Sequence, residues 1–104
     1  MGDELGRWAE PGLLILASLA GGDKHGYAIT ADVGEHVGVR LGPGTLYAAL
    51  ARLEGLGLIE AQPAEGRRRP YRLTAAGAAE LSAQSERMHR WATLSLGRLG
   101  VVPA

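Results

Sequence analysis

The sequence predicts a small, mainly α-helical domain that carries one short β-hairpin. Four segments have apolar residues at helical spacing, and they begin near residues 11, 25, 44 and 75. Between the third and fourth segments, two short apolar runs flank a stretch rich in Gly, Pro and Arg, which is typical of a hairpin. The length of 104 residues allows one such domain with a single modest core.

The first two helices are predicted on either side of a Gly-Gly turn. Proline suits the first turn of a helix, so the first helix should run from Pro11 to Ala20. Its expected core face consists of Leu13, Leu14, Ala17, Leu19 and Ala20. The second helix should run from about His25 to Val37, because Gly38 favours a C-cap. Its apolar positions are Tyr27, Ile29, Val33 and Val37.

The third helix should begin near Gly44 or Thr45, either of which can serve as its N-cap, and should end before Gly57. Its core face is a stripe of leucines, namely Leu46, Leu50, Leu53 and Leu56. The opposite face combines small residues with an aromatic hydroxyl and a guanidinium, on Thr45, Tyr47, Ala48, Ala51 and Arg52. A helix with such a face can enter the major groove of DNA.

Positive charge is concentrated in the middle of the chain, although the net charge is zero. Between residues 40 and 72, six arginines stand against three glutamates. Four of these arginines belong to the predicted hairpin: Arg67, Arg68, Arg69 and Arg72. A basic hairpin can hold DNA phosphates without regard to sequence, and a local patch matters more than the total charge for attracting them.

The order of helix, helix, turn, helix and basic hairpin is that of a winged helix-turn-helix. A run of arginines alone is usually a solvated turn, and an amphipathic helix alone is usually a core helix. The conjunction of both in this order indicates a module that binds double-stranded DNA.

A fourth helix should run from Thr74, a good N-cap, to about Leu99. About 25 residues span about 37 Å at 1.5 Å per residue, which is more than a core of three short helices can cover. Part of the helix should therefore project and pair with a second copy through Leu81, Met88, Trp91, Leu96 and Leu99. We accordingly predict a winged helix-turn-helix domain over residues 1–74 and a C-terminal dimerisation helix over 75–104.

Several short motifs lie between Leu14 and Leu81: His25-Gly26-Tyr27, Gly44-Thr45-Leu46-Tyr47, Leu53-Glu54, Gly57-Leu58-Ile59, and the run from Gly66 to Thr74 with Gly77 just after it. Together they resemble the pattern of the PadR family of bacterial transcriptional regulators. One departure is Ala48, where the family usually has proline. Alanine favours a helix interior, so this change should not harm the fold.

The resemblance implies a dimeric repressor whose third helix reads operator DNA and whose hairpin arginines hold the backbone. It also implies that Tyr27 and Tyr47 lie at the DNA face. With the residues already derived, the predicted DNA-binding set is His25, Tyr27, Gly44, Thr45, Tyr47, Ala48, Arg52, Arg67, Arg68, Arg69 and Arg72.

The short C-terminal segment resembles the smaller subgroup of that family, in which a single helix follows the hairpin. In some of those proteins an apolar space at the dimer centre accepts flat aromatic compounds. The resemblance implies Trp8, Met88 and Trp91 as the lining of such a space here. The alternative is that these three side chains only pack the interface.

Other classes of function find no support in the sequence. The chain has no cysteine, so disulfides and thiolate metal sites are excluded and a cytoplasmic location is the simplest interpretation. The three histidines lack metal-ligand spacing, and no nucleophile elbow or phosphate-binding loop is present. We therefore expect no enzyme, no cofactor and no metal.

Two further expectations concern partners. The longest apolar run, from Gly12 to Gly22, is shorter than the roughly 20 residues that a membrane span needs, so we expect no membrane partner. The alternative to DNA binding is a winged helix that acts as a protein–protein adaptor. Such an adaptor should carry acidic or apolar residues on its third helix and no arginine cluster, whereas this sequence has the reverse.

Overall fold

The computed structural model describes residues 10–101, and Trp8 lies outside them. The described residues form four helices and one antiparallel hairpin, which confirms the predicted fold class. The helices are α1 (Pro11–Ala20), α2 (Gly26–Val37), α3 (Pro43–Gly55) and α4 (Ala75–Arg98), and the strands between α3 and α4 are β1 (Ile59–Ala61) and β2 (Tyr71–Leu73). In the hairpin, Ile59 lies opposite Leu73 and Ala61 lies opposite Tyr71.

The core forms where α1, α2 and α3 meet. Its ten buried hydrophobic residues are all aliphatic: Ile15, Leu16, Leu19, Ile29, Val33, Leu41, Leu46, Leu50, Leu53 and Ile59. Ile15 and Ile29 are completely buried, and Leu50 is 1% exposed. The core positions of α2 and the first three leucines predicted for α3 are thus confirmed, except that Tyr27 and Val37 are exposed.

Two predicted helix faces were partly wrong. In α1, Ala17 and Ala20 are exposed, because the helix turns Ile15 and Leu16 towards the core instead. In α3, Leu56 is 61% exposed because the helix ends at Gly55, so Leu56 no longer continues the leucine stripe.

The helix caps agree with the sequence in α2 and α4 but not in α3. The Thr74 hydroxyl accepts a hydrogen bond from the Gly77 amide at 3.0 Å and donates to the Gly57 carbonyl at 2.7 Å. The N-cap of α3 is Gly42 and not Gly44 or Thr45, since Pro43 occupies the first turn. Proline needs no hydrogen bond at that position, so the helix begins earlier than predicted.

α4 starts against the core and then leaves it. Gly77 is buried in the first turn, where an added Cβ would overlap the Leu58 carbonyl oxygen. Leu81 still packs against the core, but Met88 is 49% exposed and Trp91 is 70% exposed. The described part of the chain measures 52 × 29 × 22 Å, as expected if the last helix projects.

The wing, which we define as β1, β2 and residues 62–70 between them, is anchored on both edges of β2. One edge pairs with β1, and the other pairs with Lys24 in the turn between α1 and α2. The Lys24 amide donates to the Tyr71 carbonyl at 3.2 Å, and the Tyr71 amide donates back at 2.9 Å. The base of the wing is therefore attached to the start of α2.

Candidate nucleic-acid interface

Residues from three elements meet at the N-terminus of α2. His25, the N-cap of α2, stacks on Tyr27 with ring centroids 6.5 Å apart and an angle of 22° between the planes. Nη1 of Arg68 in the wing lies 3.4 Å from Nε2 of His25. Tyr47 of α3 lies over Gly26, where an added Cβ would come within 3.2 Å of the tyrosine hydroxyl. We call His25, Tyr27, Tyr47 and Arg68 the aromatic–arginine cluster.

The two tyrosines of this cluster are exposed. Tyr27 is 78% exposed and Tyr47 is 58% exposed, so packing in the core does not account for either. Each ring offers apolar surface together with a hydroxyl that can donate or accept a hydrogen bond. Gly26 is buried beneath Tyr47, and its lack of a side chain allows α3 to approach this closely.

The arginines of the wing fall into two groups. Residues 65–69 form the wing tip, in which Glu65 and Arg68 exchange two backbone hydrogen bonds around Gly66, whose φ is 64°. Arg67, Arg68 and Arg69 are all exposed there. Arg72, by contrast, lies in β2, and its Nε is 3.3 Å from a carboxylate oxygen of Asp23. The charge of Arg72 is therefore partly compensated within the chain.

The outer residues of α3 divide between two flanks. Tyr47 lies on the flank that faces the start of α2, as described above. Thr45, Ala48 and Arg52 instead line an open cavity of about 470 Å³ between α1, α3 and α4. Consecutive helical residues differ by about 100°, so Thr45 and Tyr47 are far apart around the axis. The predicted DNA-binding residues of α3 therefore do not share one face of the helix.

Asp32 forms a small polar network that the sequence did not predict. The hydroxyl of Ser18, a residue that is 4% exposed, donates to the Asp32 carboxylate at 2.7 Å and ties α1 to α2. This hydrogen bond lowers the pKa of Asp32, and the positive charges of Lys24 and His36 nearby lower it further. His36 lies 3.0 Å from the same carboxylate, and its bond to the Asp32 carbonyl raises the pKa of His36.

Of the residues predicted for dimerisation, Leu81 lies near the start of α4, and the other four lie in its second half or at its C-cap. Leu81, Met88, Ala92 and Leu99 are separated by seven, four and seven residues, so they share one face of the helix. We call these four residues the apolar stripe, and Trp91 and Leu96 flank it. Leu96 is 37% exposed and Leu99 is 76% exposed, so beyond Leu81 much of this surface is open to solvent in a single copy.

The described part of the chain offers neither a metal site nor a membrane span. Residues 10–101 contain no group of three or more histidine or carboxylate side chains placed to hold a metal ion. Over the same range, every helix is too short or too polar to cross a membrane.

The fold and the exposed aromatic–arginine cluster define a winged helix-turn-helix protein. A family model described as the transcriptional regulator PadR-like family matches residues 15–83. The chain belongs to this family, whose members are regulators of transcription and not enzymes. The resemblance seen in the sequence is thereby confirmed.

Two relatives are similar to this chain in sequence. A transcriptional regulator of Mycobacterium tuberculosis is 41% identical over 88 residues, which are 82% of this chain and 81% of the relative. An uncharacterised 37.1 kDa protein in a transposon of Streptomyces fradiae is 47% identical over 78 residues. That match covers 75% of this chain but only 23% of the transposon protein.

Two solved structures illustrate the likeness in fold. A PadR family regulator from Clostridium difficile has a TM-score of 0.75 at 27% identity, covering 88% of this chain and 98% of that one. PadR of Bacillus subtilis, solved in complex with operator DNA, has a TM-score of 0.63 at 28% identity. That match covers 70% of this chain and 46% of the Bacillus protein.

Proposed function

We propose that this chain is a DNA-binding transcriptional repressor that acts as a dimer on an inverted-repeat operator. The observation that carries the proposal is the aromatic–arginine cluster, because it brings exposed hydrogen-bonding rings and a cation from α2, α3 and the wing to one place. The Bacillus relative in complex with operator DNA supports it, as does the N-terminus of α2, where the helix dipole favours an anion such as phosphate.

The proposed contacts fall into two kinds. Tyr47, with Gly44 on the same flank of α3, reads base edges in the major groove. Thr45, Ala48 and Arg52, the other predicted α3 residues, line the cavity on the opposite flank and so do not face the same base edges as Tyr47. The exposed arginines of the wing tip, together with His25 and Tyr27, hold backbone phosphates and so position the helix. Arg72 is the weakest of the proposed contacts, since Asp23 already compensates part of its charge.

The proposed dimer joins two winged domains, residues 1–74, through two copies of the helical segment, residues 75–104. Two-fold symmetry of the protein then requires two inverted half-sites, with centres about 10 bp apart or a multiple of that. We also propose that a flat aromatic effector binds at the dimer centre, next to Met88, Trp91 and Trp8. The repressor acts in the cytoplasm.

Gel retardation with the DNA upstream of the chain's own gene tests the proposal. We expect a retarded complex whose affinity falls as salt rises, by about 0.9 in log–log slope for each phosphate contact. Changing both Arg68 and Arg69 to alanine removes four cations from a dimer. This variant should bind all DNA sequences more weakly, with a slope flatter by roughly two to four units.

Arg90→Ala is the matched control, because it removes an exposed arginine that lies on α4, away from the cluster. Its salt slope should equal that of the wild type. A wild-type slope in the wing variant would exclude the wing tip from the interface. If no DNA is retarded at low salt, the adaptor hypothesis replaces the present one.

A second prediction concerns Tyr47. Tyr47→Ala should weaken operator binding by about 1–3 kcal/mol more than it weakens binding to random DNA, if the ring or its hydroxyl contacts a base. Tyr47→Phe removes only the hydroxyl and thereby separates a hydrogen bond from a stacking contact. Since Tyr47 is 58% exposed, neither change should lower the melting temperature much. Equal losses on both DNAs would mean that Tyr47 does not read sequence.

A further inference from the structure

We propose that Asp32 is a positioning residue for the wing, which acts through Ser18 and Lys24 on the turn to which β2 is bonded. The inference rests on the proposed binding of DNA by the wing tip, and it adds the residues that determine in which direction the tip points. We call Ser18, Lys24 and Asp32 the turn network. These residues are outside the proposed set of DNA contacts, and they join α1, α2 and the turn between them.

The turn between α1 and α2 pairs with the wing through two consecutive residues. The backbone of Lys24 exchanges two hydrogen bonds with Tyr71, on the edge of β2 that faces away from β1. The carboxylate of Asp23, the preceding residue of the turn, lies 3.3 Å from Nε of Arg72 in β2. The direction of the hairpin therefore depends on how this turn is held.

The side chain of Lys24 holds the turn against the end of α1. Its ammonium donates to the Ser18 carbonyl in the last turn of that helix, and it lies 3.3 Å from the Gly22 carbonyl. The last carbonyls of a helix lack partners within the helix and carry partial negative charge, so a cation is favourable there. The last turn of α1 itself contains no basic residue, and Lys24 supplies the cation from the turn beyond it.

Asp32 connects this contact to α2. The hydroxyl of Ser18, which is 4% exposed, donates to the Asp32 carboxylate at 2.7 Å. A buried hydroxyl needs a partner, so this bond determines how the Ser18 side chain is oriented. The carboxylate also attracts the Lys24 ammonium, and the hydrogen bond and this attraction both lower the pKa of Asp32. Loss of the carboxylate would thus loosen the turn that directs the wing.

The salt dependence of DNA binding tests the role of Asp32. In Asp32→Ala we expect the loss of about one or two phosphate contacts per dimer, which makes the log–log slope flatter by about one to two units and weakens binding about 8- to 60-fold at roughly 0.1 M salt. Asp32→Asn keeps an oxygen that can accept from Ser18, so it should bind within about twofold of the wild type. Glu35→Ala is the matched control, because it removes an exposed carboxylate from the same helix and should keep the wild-type slope.

A core variant separates loss of stability from a change in the position of the wing. Ile29 is completely buried, so Ile29→Val should melt at a lower temperature while its turn network stays intact. At a temperature where it is folded, its salt slope should equal that of the wild type. If Asp32→Ala melts earlier but keeps the wild-type slope, the network only stabilises the fold and the proposal is overturned.

A distance measurement tests the inference without DNA. The chain has no cysteine, so Ala64→Cys in the wing and Ala51→Cys in α3, both at exposed positions, allow two spin labels to be attached. Excess unlabelled protein restricts the measured distances to one copy. Asp32→Ala should broaden or displace the distance distribution, and so should Ser18→Ala, which removes the donor of the same bond. Unchanged distributions would overturn the proposal.

The two readouts distinguish this inference from the function on which it rests. If the wild type binds no DNA and the distance distribution still changes in Asp32→Ala, the proposed DNA binding is wrong and the control of the wing by Asp32 stands. If the wild type binds DNA and neither readout changes in the variant, the proposed function stands and the role of Asp32 is wrong.

Discussion

Replacing Gly77 by alanine should lower the free energy of unfolding by roughly 2–4 kcal/mol. An added Cβ would overlap the carbonyl oxygen of Leu58 and would lie 2.8 Å from a methyl group of Leu73. The Leu58 carbonyl cannot simply move away, because it accepts a hydrogen bond from the Thr74 amide at 3.1 Å. The first turn of α4 must therefore shift, at a cost greater than the helix propensity that alanine adds, about 1 kcal/mol.

Gly97 provides the matched control for this prediction. It lies in the same helix, and a Cβ there would have nothing within 4 Å. Gly97→Ala should therefore stabilise the protein by roughly 0.5–1 kcal/mol, through better helix propensity and a less flexible unfolded chain. Urea unfolding of both variants measures the difference. Equal effects at the two positions would contradict the close approach of α4 to Leu58 and Leu73.

Ending the chain before Met88 should convert the protein to a monomer and weaken operator binding by roughly 10²- to 10⁴-fold. The truncation removes most of the apolar stripe, so each half-site must be bound separately and the gain from linking two binding domains is lost. The fold should persist, because the buried core ends at Ile59 and Leu81, the last residue that packs against it, is retained. Sedimentation and gel retardation together measure the two effects.

A full-length variant controls for any loss of folding that the truncation itself causes. Trp91→Lys keeps α4 intact and puts a charge beside the stripe at a position that is 70% exposed in one copy. It should weaken dimerisation while leaving the melting of the winged domain cooperative. A dimeric truncated chain would place the interface elsewhere in the molecule.

Local patterns were sufficient to predict the order and type of all the described elements. Helical spacing of apolar residues, Pro11 at a helix start and Thr74 as a cap each act within one turn, so sequence alone reveals them. The face of α1 was harder, because the helix is apolar nearly all round. Ala17 and Ile15 fit a core face equally well until the neighbouring helices decide between them.

The candidate site was predictable in its composition but not in its arrangement. Motifs and charge pointed to the tyrosines and arginines, and the structure brings Tyr27, Tyr47 and Arg68 together with His25 as the aromatic–arginine cluster. It also separates Arg72, whose partner Asp23 is 49 positions away, and such long-range pairs have no local signal. The hydrogen bond from Ser18 to Asp32 depends in the same way on how α1 packs against α2.

The wing can vary in length at its tip because its base is attached to the rest of the domain on both edges of β2. Because β2 is bonded to β1 on one edge and to Lys24 on the other, the direction of the hairpin is determined at its base. The tip contributes only one bridge, between Glu65 and Arg68, and its residues are exposed. Lengthening a surface loop costs little chain entropy, about 0.6 kcal/mol for each doubling. Insertions at the tip would thus change how far the arginines reach while leaving the rest of the fold as it is.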